Sequence, residues 1–348
     1  MTNRYVHNPI LTTNDISPSQ PDFIVECVLN PGVFQYKGKT WLLLRVAERP
    51  VQKEGSISLP IYTEAGIKII EFNKNDPDLD LSDARLVKHK GRVYLSTLSH
   101  LRLVSSTDGI HFAEPGNSIT KIFGEGPLET FGIEDARVSF IDGLYYLTYT
   151  QVSDHGVGVG LMQTADWENF IRRGMIIPPH NKDCALFEEK IDSKFYCFHR
   201  PSGIALGGNY IWIASSNDLI HWGHHQCILK TREGSWDSAR VGAGAAPIKT
   251  EKGWLEIYHG ADDNNRYALG AFLLDLKDPS IVLARSIKPI LEPSEPYELK
   301  GFFGNVVFTN GHIVTGDQIV MYYGASDEVI CQATFSIKSI LTSLLKTS

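Results

Sequence analysis

One short unit recurs six times along this chain, and that recurrence restricts the fold more than any other feature of the sequence. Each copy is an apolar strand, a polar turn containing Gly, Asp or Ser, and an aromatic-rich strand. The copies begin near Val33 (VFQYKGKTWLLLR), Arg85 (RLVKHKGRVYLSTLSH), Val138 (VSFIDGLYYLTYT), Leu186 (LFEEKIDSKFYCFHR), Ala246 (APIKTEKGWLEIYHG) and Val306 (VVFTNGHIVTGDQIVMYYG). Two apolar runs joined by a turn pair such as Asp142-Gly143 make a hairpin. Hairpins repeated at roughly fifty residues and upward are the pattern of propeller blades. A second echo follows three of them: SSTDGIHF from Ser105, QTADWENF from Gln163 and SSNDLIHW from Ser215. Each reads as a turn with Asp and then an aromatic, the outer hairpin of a blade.

A β-sandwich of similar hairpins is the other architecture open to this pattern. The propeller is preferred because the second strands finish alike, in Arg45, His100, Thr150, His199, Arg200 and His259. A radial arrangement brings such ends to one central pocket, and a sandwich gives no reason for it. Helical periodicity is confined to residues 336–346 and a short piece near Trp167. Residues 51–83 are polar and less regular, and read as an insertion in the first blade or part of an extra one. The expectation is an all-β β-propeller in a single domain over residues 1–348.

Composition removes several function classes. A chain of 348 residues with 43% hydrophobic content can build a large core. Net charge is −7 with interspersed signs, which is not a nucleic-acid footprint. The five cysteines are scattered without any CxxC, as in a reduced cytosolic protein. The first residues carry no apolar signal-peptide region, and no apolar run is long enough to span a bilayer. The expected location is therefore cytoplasmic. There is no GxxxxGK[ST] loop, no HExxH, no GxSxG elbow and no cluster with metal-ligand spacing. His224 and His225 read as a solvated pair, and neither a metal nor a cofactor is expected.

Candidate chemistry concentrates at Glu134, Asp135 and Arg137, at the mouth of the third hairpin. Acids there are costly to bury unless they are paired or used. Asp135 is the candidate acid, with Arg137 available to orient or counter it. Glu134, its strand neighbour, is expected to point to the opposite face.

Gly132-Ile133-Glu134-Asp135-Ala136-Arg137 resembles the GxEDPR signature of glycoside hydrolase family 130, with Ala136 where proline is usual. Other segments are similar to that family in order and spacing. They are Asn30-Pro31-Gly32 with Leu44-Arg45, Asn181-Lys182-Asp183, His199-Arg200-Pro201, and the stretches 242–247 and 253–260. The resemblance runs from Asn8 to about Asp327. It implies a five-bladed β-propeller acting on β-mannosides, most members being inverting phosphorylases and some hydrolases. It implies Asp135 as proton donor, acting through a hydroxyl of the bound mannose. Departure of a sugar alkoxide does need an acid, and apolar neighbours would keep a carboxyl protonated. Lys182, Arg200, Arg240 and His259 map to the family's phosphate ligands, with inorganic phosphate as co-substrate. Asn30, Arg45 and Asp327 map to sugar partners, with Glu134 and Arg137 beside them. His100 and Arg102 are candidates for the acceptor side. The implied reaction is inverting phosphorolysis of β-1,2-mannosides to α-mannose 1-phosphate, with homo-oligomerisation left open. A β-mannosidase using water and a non-catalytic carbohydrate-binding propeller are the alternatives.

Overall fold

The computed structural model describes residues 2–116, 120–203 and 207–346. The described chain is predominantly β, and five antiparallel sheets carry most of it. The first holds Phe23–Tyr36, Lys39–Pro50, Leu98–Ser106 and Lys121–Ile122. The second holds Ile133–Ile141, Leu144–Ser153, Gly156–Thr164 and Ile171–Ile177. The third holds Asn181–Leu186, Phe195–Pro201, Ile211–Ser216 and Trp222–Leu229. The fourth holds Arg240–Ala243, Gly253–Ala261, Tyr267–Leu274 and Val282–Arg285, with Ile248–Thr250 paired onto its second strand. The fifth holds Val307–Thr315, Gln318–Ala325 and Val329–Ser336, and the N-terminal strand Asn3–Arg4 completes its outer edge.

Five of the six expected hairpins start these five sheets. The turns are the ones their residues favour: Asp142 and Gly143 both take positive φ, at 50° and 85°. The sixth hairpin, from Arg85, stands apart. Leu86–His89 and Arg92–Leu95 join Leu79–Asp80 in a small three-stranded sheet. Ser56–Thr63 and Gly66–Asn73 form a further two-stranded sheet. The three echo segments are turns between third and fourth strands. In each, an Asp carboxylate caps two backbone N–H groups: Asp108, Asp166 and Asp218. Near Trp167 there is therefore a turn and not a helix, and the Trp167 ring stacks on Phe34 at 3.7 Å. The helix expected over 336–346 is Ile337–Leu345, with the Ser336 hydroxyl accepting from the Ser339 N–H at 3.1 Å.

Alternating strands on two-sided sheets leave apolar residues on both faces, and these are buried between successive sheets. Leu43 and Leu103 of the first sheet pack with Val138 and Leu147 of the second. Leu161 of the second shares a cluster with Leu186 of the third. Phe198 meets Phe272 between third and fourth, and Leu255 meets Met321 between fourth and fifth. Leu42 and Val28 then pack with Tyr322 and Ile330, joining the fifth sheet back to the first. The strand Phe23–Tyr36 accordingly touches both Ile133–Ile141 and Val307–Thr315.

A polar device repeats within this apolar frame. Tyr149, Tyr258 and Tyr323 sit at matching positions on second strands and donate to the buried acids Glu129, Asp237 and Glu298, each at 2.8 Å. An arginine from the fourth strand completes each set: Arg172, Arg285 and Arg4. The third sheet departs from it. His199 occupies that position, with Nδ1 3.1 Å from Asn181 Oδ1 and Nε2 2.9 Å from His225 Nδ1.

Candidate active site

Strand alternation breaks at the same level in four of the five sheets. The first strands shift register between Leu29 and Gly32, Glu134 and Arg137, Lys182 and Ala185, and Thr309 and Gly311. Such bulges re-aim side chains. Asn30, Asp135 and Asp183 occupy three of them with left-handed backbones, at φ 37°, 49° and 54°. Asn and Asp tolerate that conformation better than other side chains. Beside the bulges, Arg45 pairs with Leu29 and Arg200 with Lys182, and in the fourth sheet, which has no such shift, His259 pairs with Gly242. The first three sheets thus deliver Asn30 and Arg45, Glu134 and Asp135, and Lys182, Asp183 and Arg200 to one cavity.

Here lies a cavity of about 290 Å³. Asn30, Arg45, Glu134, Asp135 and Asp327 line it together with Lys182, Asp183 and Arg200. Glu134 and Asp135 share this cavity, contrary to the expectation of opposite faces, because Asp135 lies in the bulge between Glu134 and Arg137. Arg45 holds both: Nη2 donates to Glu134 Oε1 at 2.8 Å and Nη1 to Asp135 Oδ1 at 3.3 Å. Asn30 Nδ2 donates to the same Asp135 oxygen at 3.1 Å.

Arg137 does not face the cavity. It is buried beneath it, donating to the carbonyls of Asp135, Ala243 and Gly244 at 3.0, 2.9 and 2.7 Å and to Asp183 Oδ1 at 3.2 Å. Its place as a sugar partner is therefore corrected: with its donors engaged, it fixes the bulge backbone instead. Asp183, which sequence reasoning missed, ties the other basic residues together. It accepts from Arg200 Nε at 2.5 Å and from Arg137, and its Oδ2 lies 3.3 Å from His259 Nε2. That last contact is off-axis, since neither His259 nitrogen has a hydrogen-bond partner. Gly242 allows the approach, because a Cβ there would collide with the Asp183 carboxylate and the His259 ring. The polar triplet Asn181-Lys182-Asp183 opening a buried strand was the available signal for Asp183.

The four expected phosphate ligands divide into two pairs. Lys182 and Arg200 line the cavity. Arg240 and His259 are not among its lining residues. Arg240 stands behind Tyr267, donating to its hydroxyl at 2.7 Å and to Asn265 Oδ1 at 3.0 Å. His259 is buried against Phe308, with ring centroids 4.2 Å apart. Burial holds its imidazole below the usual pKa despite the opposing pull of Asp183, so it is neutral near pH 7. His100 and Arg102 are likewise internal. Arg102 Nη2 lies 3.0 Å from His100 Nε2, and its Nη1 lies 3.0 Å from Glu114 Oε1. Neither lines the cavity, which corrects their assignment to the acceptor side.

Two carboxyls of the cavity titrate in opposite directions. Burial alone would raise Asp135, but Arg45, Lys182, Arg137 and the Asn30 amide outweigh it and hold the group below its ordinary value. Its surroundings are charged, not apolar, so they do not favour a proton on Asp135 as expected. Asp327 does the reverse. Burial pushes it up to about 6, with Arg45 opposing and Asp135 adding to the rise. Among the described residues no group of three or more His, Cys, Asp or Glu is placed to hold a metal ion. No helix of the described residues is long and apolar enough to cross a membrane.

The profile of a known family, described as beta-1,4-mannooligosaccharide phosphorylase, matches residues 83–346. The chain belongs to glycoside hydrolase family 130. Similarity to individual members extends further. A beta-1,2-mannobiose phosphorylase from Listeria innocua is 44% identical over 98% of this chain and 98% of its own. Its solved complex with β-1,2-mannobiose superposes with a TM-score of 0.95, covering 99% of both chains at 43% identity. A 1,2-beta-oligomannan phosphorylase from Thermoanaerobacter is 44% identical over 71% of this chain and 82% of its own. Family 130 glycoside hydrolases that target β-1,2 mannosidic linkages share the fold at 21% identity, with a TM-score of 0.74 over 97% of this chain and 94% of that one.

Proposed function

We propose that this enzyme is an inverting phosphorylase of β-1,2-mannosides, built as a five-bladed β-propeller whose blades are the five sheets. Residues 1–348 then form one catalytic domain, with the 51–83 region as an insertion in the first blade. The observation that carries the reading is what one small cavity holds together. An acid held by Arg45 and Asn30 shares it with two cations, Lys182 and Arg200. Lys182 Nζ makes no hydrogen bond among the described residues, and Arg200 uses Nε on Asp183 and Nη1 on Asn209. Donors therefore remain for an anion.

In this reading a phosphate oxygen attacks the anomeric carbon of the terminal mannose from the face opposite the leaving sugar. The C1–O bond breaks with its electron pair on the departing oxygen. A proton passes from Asp135, through a mannose hydroxyl, to that oxygen. The products are α-mannose 1-phosphate and a sugar one unit shorter. Phosphate also loads the acid. An anion beside Lys182 and Arg200 offsets the charges that keep Asp135 ionised, so its pKa rises as the site fills. Arg240 and His259 support phosphate indirectly, through Tyr267 and Asp183. Hydrolysis would need a carboxylate base for water, and the chain neighbour of Asp135, Glu134, is engaged by Arg45 at 2.8 Å.

The test is incubation with β-1,2-mannobiose in the presence and absence of phosphate. Mannose release that depends on phosphate is expected. Equal release without phosphate would replace this reading by the water-using mannosidase, and no release by the binding propeller.

A further inference from the structure

The cavity changes character from its buried end to its rim. Asp135 and Asp183 are 7% and 2% exposed, whereas the Arg85 side chain at the rim is 48% exposed. Two segments far apart in the chain meet there. The small sheet over 79–95 supplies Arg85, Leu86 and Leu95, and the loop before the fifth sheet supplies Phe302 and Phe303. The Arg85 guanidinium lies over the Phe303 ring, 4.6 Å from its centroid.

Both partners are held in place. Asp83 accepts from Arg85 Nε at 3.1 Å, from Nη2 at 2.9 Å and from its backbone N–H at 2.9 Å. The Phe303 N–H donates to the Ser326 carbonyl at 3.0 Å, beside Asp327. Gly301 makes that close approach possible, since a Cβ there would lie 2.6 Å from Ser326 Cβ and 2.8 Å from its carbonyl oxygen. The fork on Asp83 leaves Arg85 Nη1 free to donate to a ligand. A guanidinium over an aromatic face is attracted by the ring, which holds the two side chains together across the rim.

We infer that the Arg85–Phe303 contact is a specificity wall on the leaving-sugar side, which admits one sugar beyond the transferred mannose and excludes longer β-mannosides. The inference rests on the phosphorylase reading above. The reacting mannose and phosphate occupy the buried charged end, so the leaving sugar lies toward the rim. There the aromatic rings offer apolar faces to its C–H groups, and Arg85 offers donors to its hydroxyls. In this inference a longer chain would have to pass the contact between Arg85 and Phe303. At about 290 Å³ the cavity lies at the small end of small-molecule sites, which does not favour an extended oligosaccharide.

The test compares kcat/KM for β-1,2-mannobiose and β-1,2-mannotriose in the native enzyme, Arg85→Ala and Phe303→Ala, with Arg85→Lys as a variant that keeps charge without the planar fork. The expected result is a rise of about tenfold in the trisaccharide-to-disaccharide ratio in both alanine variants, and a smaller rise in Arg85→Lys. The KM for phosphate should stay within about twofold, because Arg85 is bonded to Asp83 and stacked on Phe303, not bonded to Lys182 or Arg200. An active native enzyme whose ratio is unchanged in both alanine variants would overturn this inference alone. A native enzyme that releases no mannose 1-phosphate from either sugar would overturn the functional reading and the wall with it.

Discussion

Asp135 and Asp327 line one cavity, and their surroundings give them opposite preferences for the proton. Arg45, Lys182, Arg137 and Asn30 stabilise the ionised form of Asp135 against its burial, whereas burial dominates at Asp327. A carboxyl whose folded-state pKa rises from 3.8 to about 6 holds a proton that the unfolded chain has released. Its favourable share of stability is complete below pH 3.8 and is lost as pH rises through about 6. Asp327→Asn should therefore raise stability at pH 7.5 by on the order of 1 kcal/mol and flatten the pH dependence between 4 and 6. Asp135→Asn should give no such gain, and should lower phosphorolysis by about 10²–10⁴-fold. Thermal unfolding across pH and steady-state rates on mannobiose measure both, and an Asp327→Asn chain less stable than the native one at pH 7.5 would contradict the burial argument. Adjacent acids beside an arginine made the Asp135 segment legible in the sequence. Its side-chain directions were not, because a period of two places Glu134 and Asp135 on opposite faces until a bulge intervenes. Local sequence carries little information on bulges, which are set here by pairing with Leu144–Ser153. The same gap hid Asp183 and misdirected Arg137.

Elements were more readable than side chains. Hairpin chemistry is local, so the strand–turn–strand units at Val33, Val138, Leu186, Ala246 and Val306 could be recognised one by one. The Arg85 hairpin has the same local pattern yet belongs to a separate small sheet, since pattern alone does not say which sheet a hairpin joins. The Tyr–acid–Arg sets were invisible for a related reason: their members come from three segments distant in sequence. These sets make a strong claim about stability. Glu298 is fully buried and accepts from Arg4 Nε at 2.7 Å and from the Tyr323 hydroxyl at 2.8 Å. It also accepts from the N–H groups of Ser294 and Glu295. Glu298→Ala leaves all four donors without their acceptor and should cost about 2–4 kcal/mol, discounted from a fully buried pair because Arg4 is partly exposed. Denaturant unfolding would read this directly, and a change under about 0.5 kcal/mol would mean that the set adds little to stability.

At the scale of the molecule, successive sheets share apolar clusters until the fifth packs on the first, and the N-terminal segment is stitched to the chain's last strand. Asn3 pairs with Thr334, and the Ile10 N–H donates to the Ile330 carbonyl at 2.8 Å. A two-residue strand has no hydrophobic period, so the sequence could not reveal this closure, although the recurring hairpins made a radial arrangement the better choice. The arrangement matters for chemistry because each sheet contributes one or two polar groups at one level. No single sheet holds both the candidate proton donor and the two cavity cations: Asp135 comes from the second, Arg45 from the first, and Lys182 and Arg200 from the third. An acid and two cations in one cavity suit a single displacement by an anion, which must invert the anomeric centre. A double displacement would instead need a carboxylate nucleophile about 5–5.5 Å from the acid, free to attack. The decisive measurement is proton NMR of the first-formed product of β-1,2-mannobiose and inorganic phosphate. A single displacement gives α-mannose 1-phosphate, and appearance of β-mannose 1-phosphate, or of free mannose in place of any phosphate ester, would contradict it.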